Sequence, residues 1–282
     1  MLTRLCALLP RFPHCTLISL LALVLPTDRT LSAEPVNDRI TIYDVNVLER
    51  RPYDRDVFTQ GFAIDSDKLW VSSGLYGKSF VERWDWPVGE NAESAENAGK
   101  DNAKKVRLEL SDTIFAEGLT MHKGALYLLT WKSQKMLAID PDRLEIIKNY
   151  RLPGEGWGIT SNGESLWLSD GTSRIREWRD GAFQRMFSVT LRGKPLPRLN
   201  ELEWIDGEIW ANVWLTDQIV AIAPTTGRVT RIIDLTNLLP KNQRRRDTDV
   251  LNGIAKDPIT GDIWVTGKRW PTMYRIQLVD RQ

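Results

Sequence analysis

Short apolar runs separated by turn signals dominate the chain, and one composite pattern occurs five times. Each copy has a polar or glycine-bearing tripeptide, a short apolar strand, a tight turn, and a second strand with an aromatic at its centre. The first copy reads Thr59-Gln60-Gly61-Phe62-Ala63-Ile64, then Leu69-Trp70-Val71; the second reads Ala116-Glu117-Gly118-Leu119-Thr120, then Leu126-Tyr127-Leu128. The third is Gly156-Trp157-Gly158-Ile159-Thr160 with Leu166-Trp167-Leu168. The fourth is Asn200-Glu201-Leu202-Glu203-Trp204 with Ile209-Trp210-Ala211. The fifth is Leu251-Asn252-Gly253-Ile254-Ala255 with Ile263-Trp264-Val265, and only the fourth copy lacks glycine at its third position. Lys123-Gly124, Asn162-Gly163 and Asp206-Gly207 supply hairpin turns between the paired strands.

The copies start about 40 to 60 residues apart, the period of a propeller blade. Each is followed by another hairpin-like stretch, such as Met136-Leu137-Ala138-Ile139-Asp140 or Ile219-Val220-Ala221-Ile222. About four antiparallel strands per period predict an all-β, five-bladed β-propeller in one domain, residues 34–282. The polar stretch Gly89 to Lys105 has no hydrophobic period and reads as a solvated loop. Lys241 to Asp249, with Arg244-Arg245-Arg246, reads as an exposed loop able to line the rim of a site. In a propeller the innermost strand of each blade faces the channel. The repeat therefore places Gln60, Glu117, Trp157, Glu201 and Asn252 around one axis, an unusually polar ring.

Residues 1–33 have the form of a signal peptide: Arg4 and Arg11, an apolar run from Thr16 to Leu25, and the small-residue site Leu31-Ser32-Ala33. Cleavage there predicts an exported, periplasmic or secreted protein with no membrane association afterwards. It also removes both cysteines and His14, leaving His122 as the single histidine. Disulfides, a cysteine nucleophile and a histidine-built zinc site are then excluded. No G-x-S-x-G elbow accompanies His122, so a serine triad has no support. The net charge of +1 excludes nucleic-acid binding through a basic surface. Catalysis is left to carboxylates, amides, lysine and aromatics.

Ten short motifs, in order along the chain, carry a resemblance. They include Phe58-Thr59-Gln60-Gly61, Ser73-Gly74-Leu75-Tyr76-Gly77-Lys78-Ser79, Glu117-Gly118-Leu119-Thr120 and Leu129-Thr130-Trp131-Lys132. Gly154-Glu155-Gly156-Trp157-Gly158, Leu168-Ser169-Asp170-Gly171, Leu199-Asn200-Glu201-Leu202-Glu203 and Ala211-Asn212-Val213-Trp214 follow. Asp249-Val250-Leu251-Asn252-Gly253-Ile254-Ala255 and Val265-Thr266-Gly267-Lys268-Arg269-Trp270-Pro271 complete the set. Together they resemble the plant-type glutaminyl-peptide cyclotransferases, also found in bacteria. The resemblance covers Tyr43 to Leu278 and implies a five-bladed propeller that closes N-terminal glutamine to pyroglutamate and releases ammonia. It implies peptide or protein substrates with N-terminal glutamine and no cofactor or metal, and the chain is expected to act as a monomer.

Carried over by position, the resemblance implies Glu117, Lys268 and Gln60 as catalytic groups. It implies Phe58, Trp131, Trp157, Asn200 and Trp214 as the substrate-binding set. Glu117 would shuttle a proton from amine to leaving nitrogen, and Gln60, Asn200 and Lys268 would offer donors to carbonyl oxygens. Trp70, Trp167, Trp210 and Trp264 repeat at mid-strand and read as core, whereas Trp131, Trp157 and Trp214 fall outside that register. Lys268 also fits a solvated lysine, Asp170 a turn cap, and His122 an exposed turn residue. Glu201 and Asn252 have no assigned role. Two other functions stay open: a calcium-dependent lactonase or esterase with Glu117, Glu201 and Asn252 as oxygen ligands, and a non-catalytic peptide- or sugar-binding propeller.

Overall fold

The computed structural model describes residues 40–86 and 105–281; the expected leader and most of the Gly89 to Lys105 stretch lie outside the described residues. Apart from a 3₁₀ turn at Lys241–Gln243, every regular element described is a strand.

Strand β1 spans Thr41–Pro52. A four-stranded antiparallel sheet then forms from β2 (Thr59–Asp65), β3 (Lys68–Ser73), β4 (Phe80–Asp85) and β5 (Lys105–Glu109). The next sheet is β6 (Ala116–His122), β7 (Ala125–Thr130), β8 (Lys135–Asp140) and β9 (Glu145–Arg151). The third is β10 (Ile159–Ser161), β11 (Leu166–Ser169), β12 (Arg174–Arg179) and β13 (Ala182–Ser188). A small hairpin, β14 (Thr190–Leu191) and β15 (Lys194–Pro195), follows. The largest sheet holds β16 (Leu199–Ile205), β17 (Glu208–Val213), β18 (Gln218–Ala223) and β19 (Arg228–Asp234). It also holds β20 (Leu251–Lys256), β21 (Ile263–Gly267) and β22 (Thr272–Asp280). Strand β1 joins its two halves: it pairs antiparallel with β22 from Tyr43↔Asp280 to Pro52↔Thr272, and parallel with β19 at Thr41↔Arg231 to Tyr43↔Ile233.

The hairpin turns follow the residues present. Lys123 (φ 47°) with Gly124 (φ 79°), and Asp206 (φ 49°) with Gly207 (φ 86°), place two successive residues at positive φ. That geometry matches the right-handed twist of the flanking strands. Burial falls from the first strand of each sheet to the last. Strands β2, β6 and β20 are almost wholly buried, whereas β9 and β13 are almost wholly exposed. A strand buried on both faces has neighbours on both faces, so the first strands lie innermost. Trp70, Trp167, Trp210 and Trp264 are buried between sheets, as the mid-strand register predicts.

The innermost strands are tied to one another in a closed cycle. Ser72 Oγ donates to the Glu117 carbonyl at 2.5 Å, joining the first sheet to β6. Gly118 N donates to the Trp157 carbonyl at 2.7 Å, and Ser169 Oγ to the Asn200 carbonyl at 2.7 Å. Asn212 Oδ1 accepts from Gly253 N and Glu201 Oε2 from Ile254 N, both at 2.9 Å. Asn252 Nδ2 closes the cycle on the Thr59 carbonyl at 3.0 Å. Backbones approach so closely here that a Cβ on Gly118 would sit 2.8 Å from the Trp157 carbonyl, and one on Gly158 would fall on the Asn200 carbonyl oxygen. Glycine at these positions is a steric requirement. The result is an all-β, propeller-like fold with a narrow waist between two mouths.

Candidate active site

Four of the innermost strands break register at the repeated position. The shifts fall between Thr59 and Gly61 in β2, Ala116 and Leu119 in β6, Leu199 and Leu202 in β16, and Leu251 and Ile254 in β20. A bulge inserts a residue, bends the strand and re-aims side chains. In β16 it separates the roles of neighbours: Asn200 lines a cavity, while Glu201 bonds sideways to Ile254 N.

That cavity has a volume of about 280 Å³ and lies at one mouth of the cycle. Phe58, Gln60, Glu117, Trp131, Trp157, Asn200, Trp214 and Lys268, all eight sequence-derived site residues, line it. Aromatic contacts run along its wall. The Trp157 and Trp214 rings meet edge to face at 5.5 Å, Trp131 meets Phe115 at 5.4 Å, and Phe115 meets Phe58 at 6.5 Å. The Phe58 ring also lies 4.9 Å below the Lys268 ammonium. Lys268 is only 5% exposed, fixed by backbone bonds to Val250 O (2.9 Å) and from Asp249 N (3.0 Å). It is therefore a cavity residue and not a solvated lysine.

Glu117 is 5% exposed. Burial pushes its carboxyl well above the usual carboxylate range; the Lys268 charge opposes this and Glu155 adds to it. Burial lowers Lys268, with Glu117 and Asp249 opposing. A carboxyl and an ammonium that desolvation drives toward neutrality can exchange protons near neutral pH. The side-chain oxygens of Gln60 and Asn200 are buried with no hydrogen-bond partner among the described residues. These carboxamides are uncommitted to the protein and free to serve a ligand.

Glutamine cyclotransferase is the family whose model matches this chain, over residues 17–278. The chain belongs to that family. It is 34% identical over 244 residues to the glutaminyl-peptide cyclotransferase of Arabidopsis thaliana, covering 84% of this chain and 72% of that protein. The crystal structure of Myxococcus xanthus glutaminyl cyclase superimposes with a TM-score of 0.74 at 28% identity, covering 86% of this chain and all of that one.

Against this family background, two sequence expectations change and one holds. Glu201 and Asn252 do not line the cavity. They hold neighbouring innermost strands through Ile254 N and the Thr59 carbonyl, so they do not converge with Glu117 as an oxygen-ligand set. His122 is not an exposed turn residue: it ends β6, is 5% exposed, and its Nδ1 lies 2.7 Å from Ser161 Oγ. It faces a second cavity of about 500 Å³ at the opposite mouth, with Glu203 and Trp204, away from Glu117. Asp170 does cap its turn, its Oδ1 accepting from Thr172 N at 3.1 Å.

The rim reading of the Lys241 to Asp249 loop holds at its last residue, Asp249, which lines the cavity, whereas three residues were missed. Phe115 lines the cavity two residues before Glu117, as Phe58 stands two before Gln60, so the repeat carried its signal. Leu75 belongs to an irregular segment without a period. Glu155, in the loop before β10, bonds two of the indoles.

Proposed function

We propose that this cavity binds the N-terminal glutamine of peptides and proteins and cyclises it to pyroglutamate, releasing ammonia. The observation that carries the reading is a desolvated Glu117 carboxyl beside Lys268 within an indole-walled cavity. An α-amino group with a pKa of about 7.7 is partly neutral at working pH and supplies the nucleophile itself. The enzyme must fold the side chain so that this amine meets the amide carbon, and must exclude water. Trp131, Trp157, Trp214 and Phe58 provide that confinement.

As the amine nitrogen bonds to the side-chain amide carbon, the carbonyl electrons move to oxygen. Lys268 stabilises the resulting oxyanion, helped by the Gln60 and Asn200 carboxamides, which also take the substrate's N–H groups. Glu117, as carboxylate, accepts the proton from the attacking nitrogen. It returns that proton to the amide nitrogen as the carbon–nitrogen bond breaks, so ammonia leaves and Glu117 ends as it began.

The fold reading that supports this is a five-bladed propeller. The largest sheet divides into two blades, β16–β19 and β20–β22 with β1, and the other three sheets are one blade each. We also infer that residues 1–33 direct export, that Glu34 begins a periplasmic or secreted mature chain, and that the protein works as a monomer. Ammonia release from glutaminyl dipeptides, measured by a coupled assay with and without chelator, tests the reaction. Turnover unaffected by chelator is expected; absence of ammonia release from a folded preparation overturns the reading.

A further inference from the structure

Glu155 stands in the segment Leu152–Gly156 between β9 and β10, and its side chain makes an unusual pair of bonds. A single oxygen, Oε2, accepts the Trp131 indole N–H at 2.8 Å and the Trp157 indole N–H at 3.0 Å. The two indoles come from different sheets: Trp131 follows β7 and Trp157 precedes β10. Three hydrogen bonds to two neighbouring strands clamp the loop itself. Arg176 of β12 donates to the Pro153 carbonyl at 2.6 Å and the Glu155 carbonyl at 3.0 Å, and Gly156 N lies 3.2 Å from the Thr130 carbonyl. Glu155 is thus a fixed point to which both indoles are anchored.

An indole carries one donor, and the half-buried Trp131 and Trp157 both commit theirs to Glu155. Bonds to an ionised acceptor are the stronger kind. Removing the carboxylate would orphan two donors at once and free both rings to rotate. Trp157 also braces Trp214 edge to face, so the loosening would reach a third wall.

We propose that Glu155 is a positioning residue whose carboxylate locks the Trp131 and Trp157 indoles into the wall of the substrate cavity. This rests on the assignment of that cavity as the glutaminyl site. A second consequence follows from charge. The groups acting on Glu117 are Lys268, with Asp249 behind it, and Glu155. Lys268 favours ionised Glu117, whereas Glu155 opposes it. Neutralising Glu155 therefore favours the carboxylate form of Glu117. Because that form accepts the amine's proton, the acid limb of the kcat profile moves to lower pH.

Two variants of the full chain separate the effects. Glu155→Ala removes both bonds and is expected to raise KM roughly tenfold or more. It also increases acrylamide quenching of tryptophan emission, with melting temperature showing the protein folded. Glu155→Gln keeps an oxygen acceptor, so KM stays near wild type while the acid limb moves down. Peptide Kd measured by fluorescence in a Glu117→Gln background reads the wall without turnover, so a failed catalytic assignment does not masquerade as a failed positioning role. Wild-type KM and Kd in Glu155→Ala overturn the proposal, as does a Glu155→Gln variant indistinguishable from Glu155→Ala.

Discussion

Replacing Glu117 by glutamine separates chemistry from stability. The substitution keeps the side chain's shape and removes its proton-carrying function. Loss of a general acid/base lowers rate by roughly 10²–10⁴-fold, so kcat on a glutaminyl dipeptide should fall by that factor. Stability should move the other way. Burial is the largest influence on Glu117 and outweighs attraction to Lys268, so its ionised form is held at a cost. Each tenfold weakening of its acidity corresponds to about 1.4 kcal/mol of native stability lost at a pH where the group is forced to ionise. For a domain of this size, 1 kcal/mol moves the melting temperature by roughly 2–4 °C. Lys268 loses its partner in the variant but keeps Asp249, which limits the opposing penalty. The sign with pH is definite. A raised folded-state pKa leaves no cost below the unfolded value, near 4.3, and full cost above the folded value. The melting-temperature gain of Glu117→Gln should therefore be small at pH 5 and larger at pH 8. Ammonia release and thermal melts on one preparation at both pH values decide it. Turnover near wild type in the folded variant, or a melting temperature lower at pH 8 than wild type, refutes the reasoning.

Gly158→Ala places a methyl group on the Asn200 carbonyl, and should cost about 1–3 kcal/mol or more while raising KM; unchanged melts would show the waist is less tight than described. Glu203 at the opposite mouth is pushed up to about 7 by burial, so Glu203→Gln should stabilise above pH 7 and do little near pH 5, with kcat unchanged at both. Loss of activity in that variant would tie the second mouth to catalysis. N-terminal sequencing of exported protein should begin at or near Glu34; an intact Met1 would refute cleavage.

The propeller-like fold was legible because its repeat writes the same instruction five times: a turn such as Asp206-Gly207, then an aromatic such as Trp210 or Tyr127 at mid-strand. The cavity was legible for the complementary reason, since Trp131, Trp157 and Trp214 break that rhythm. What period-two alternation cannot encode is a bulge. The repeat aligns Glu201 with Gln60 and Glu117, yet across the register shift in β16 it is Asn200 that lines the cavity, while Glu201 bonds to β20. The roles of Glu201 and Asn252 were hidden for that reason. For Lys268 the resemblance implied catalysis while the Lys268-Arg269 pair also fitted solvated charge, because sequence does not show that the start of β20 and the end of β21 flank one cavity. Glu155 was hidden because its loop has no period, and its function lies in two partners on separate sheets.

The pairing of β1 with β22 sets the order in which this molecule can be finished. At a synthesis rate of roughly 5–20 residues per second, β1 emerges about ten to fifty seconds before its partner exists. Through that interval it is an orphan strand with a bare edge, the kind of surface that recruits other chains into aggregates. Its composition suits the wait. Asp44, Asn46, Glu49, Arg50 and Arg51 interrupt the apolar residues, and Pro52 ends the run. Charges and a proline of this kind act as gatekeepers against intermolecular pairing. Once β22 is paired, Arg51 lies against the Trp86 and Trp264 rings, 4.6 and 4.4 Å from their centroids, so one of the charges that interrupt the free strand becomes part of the lock.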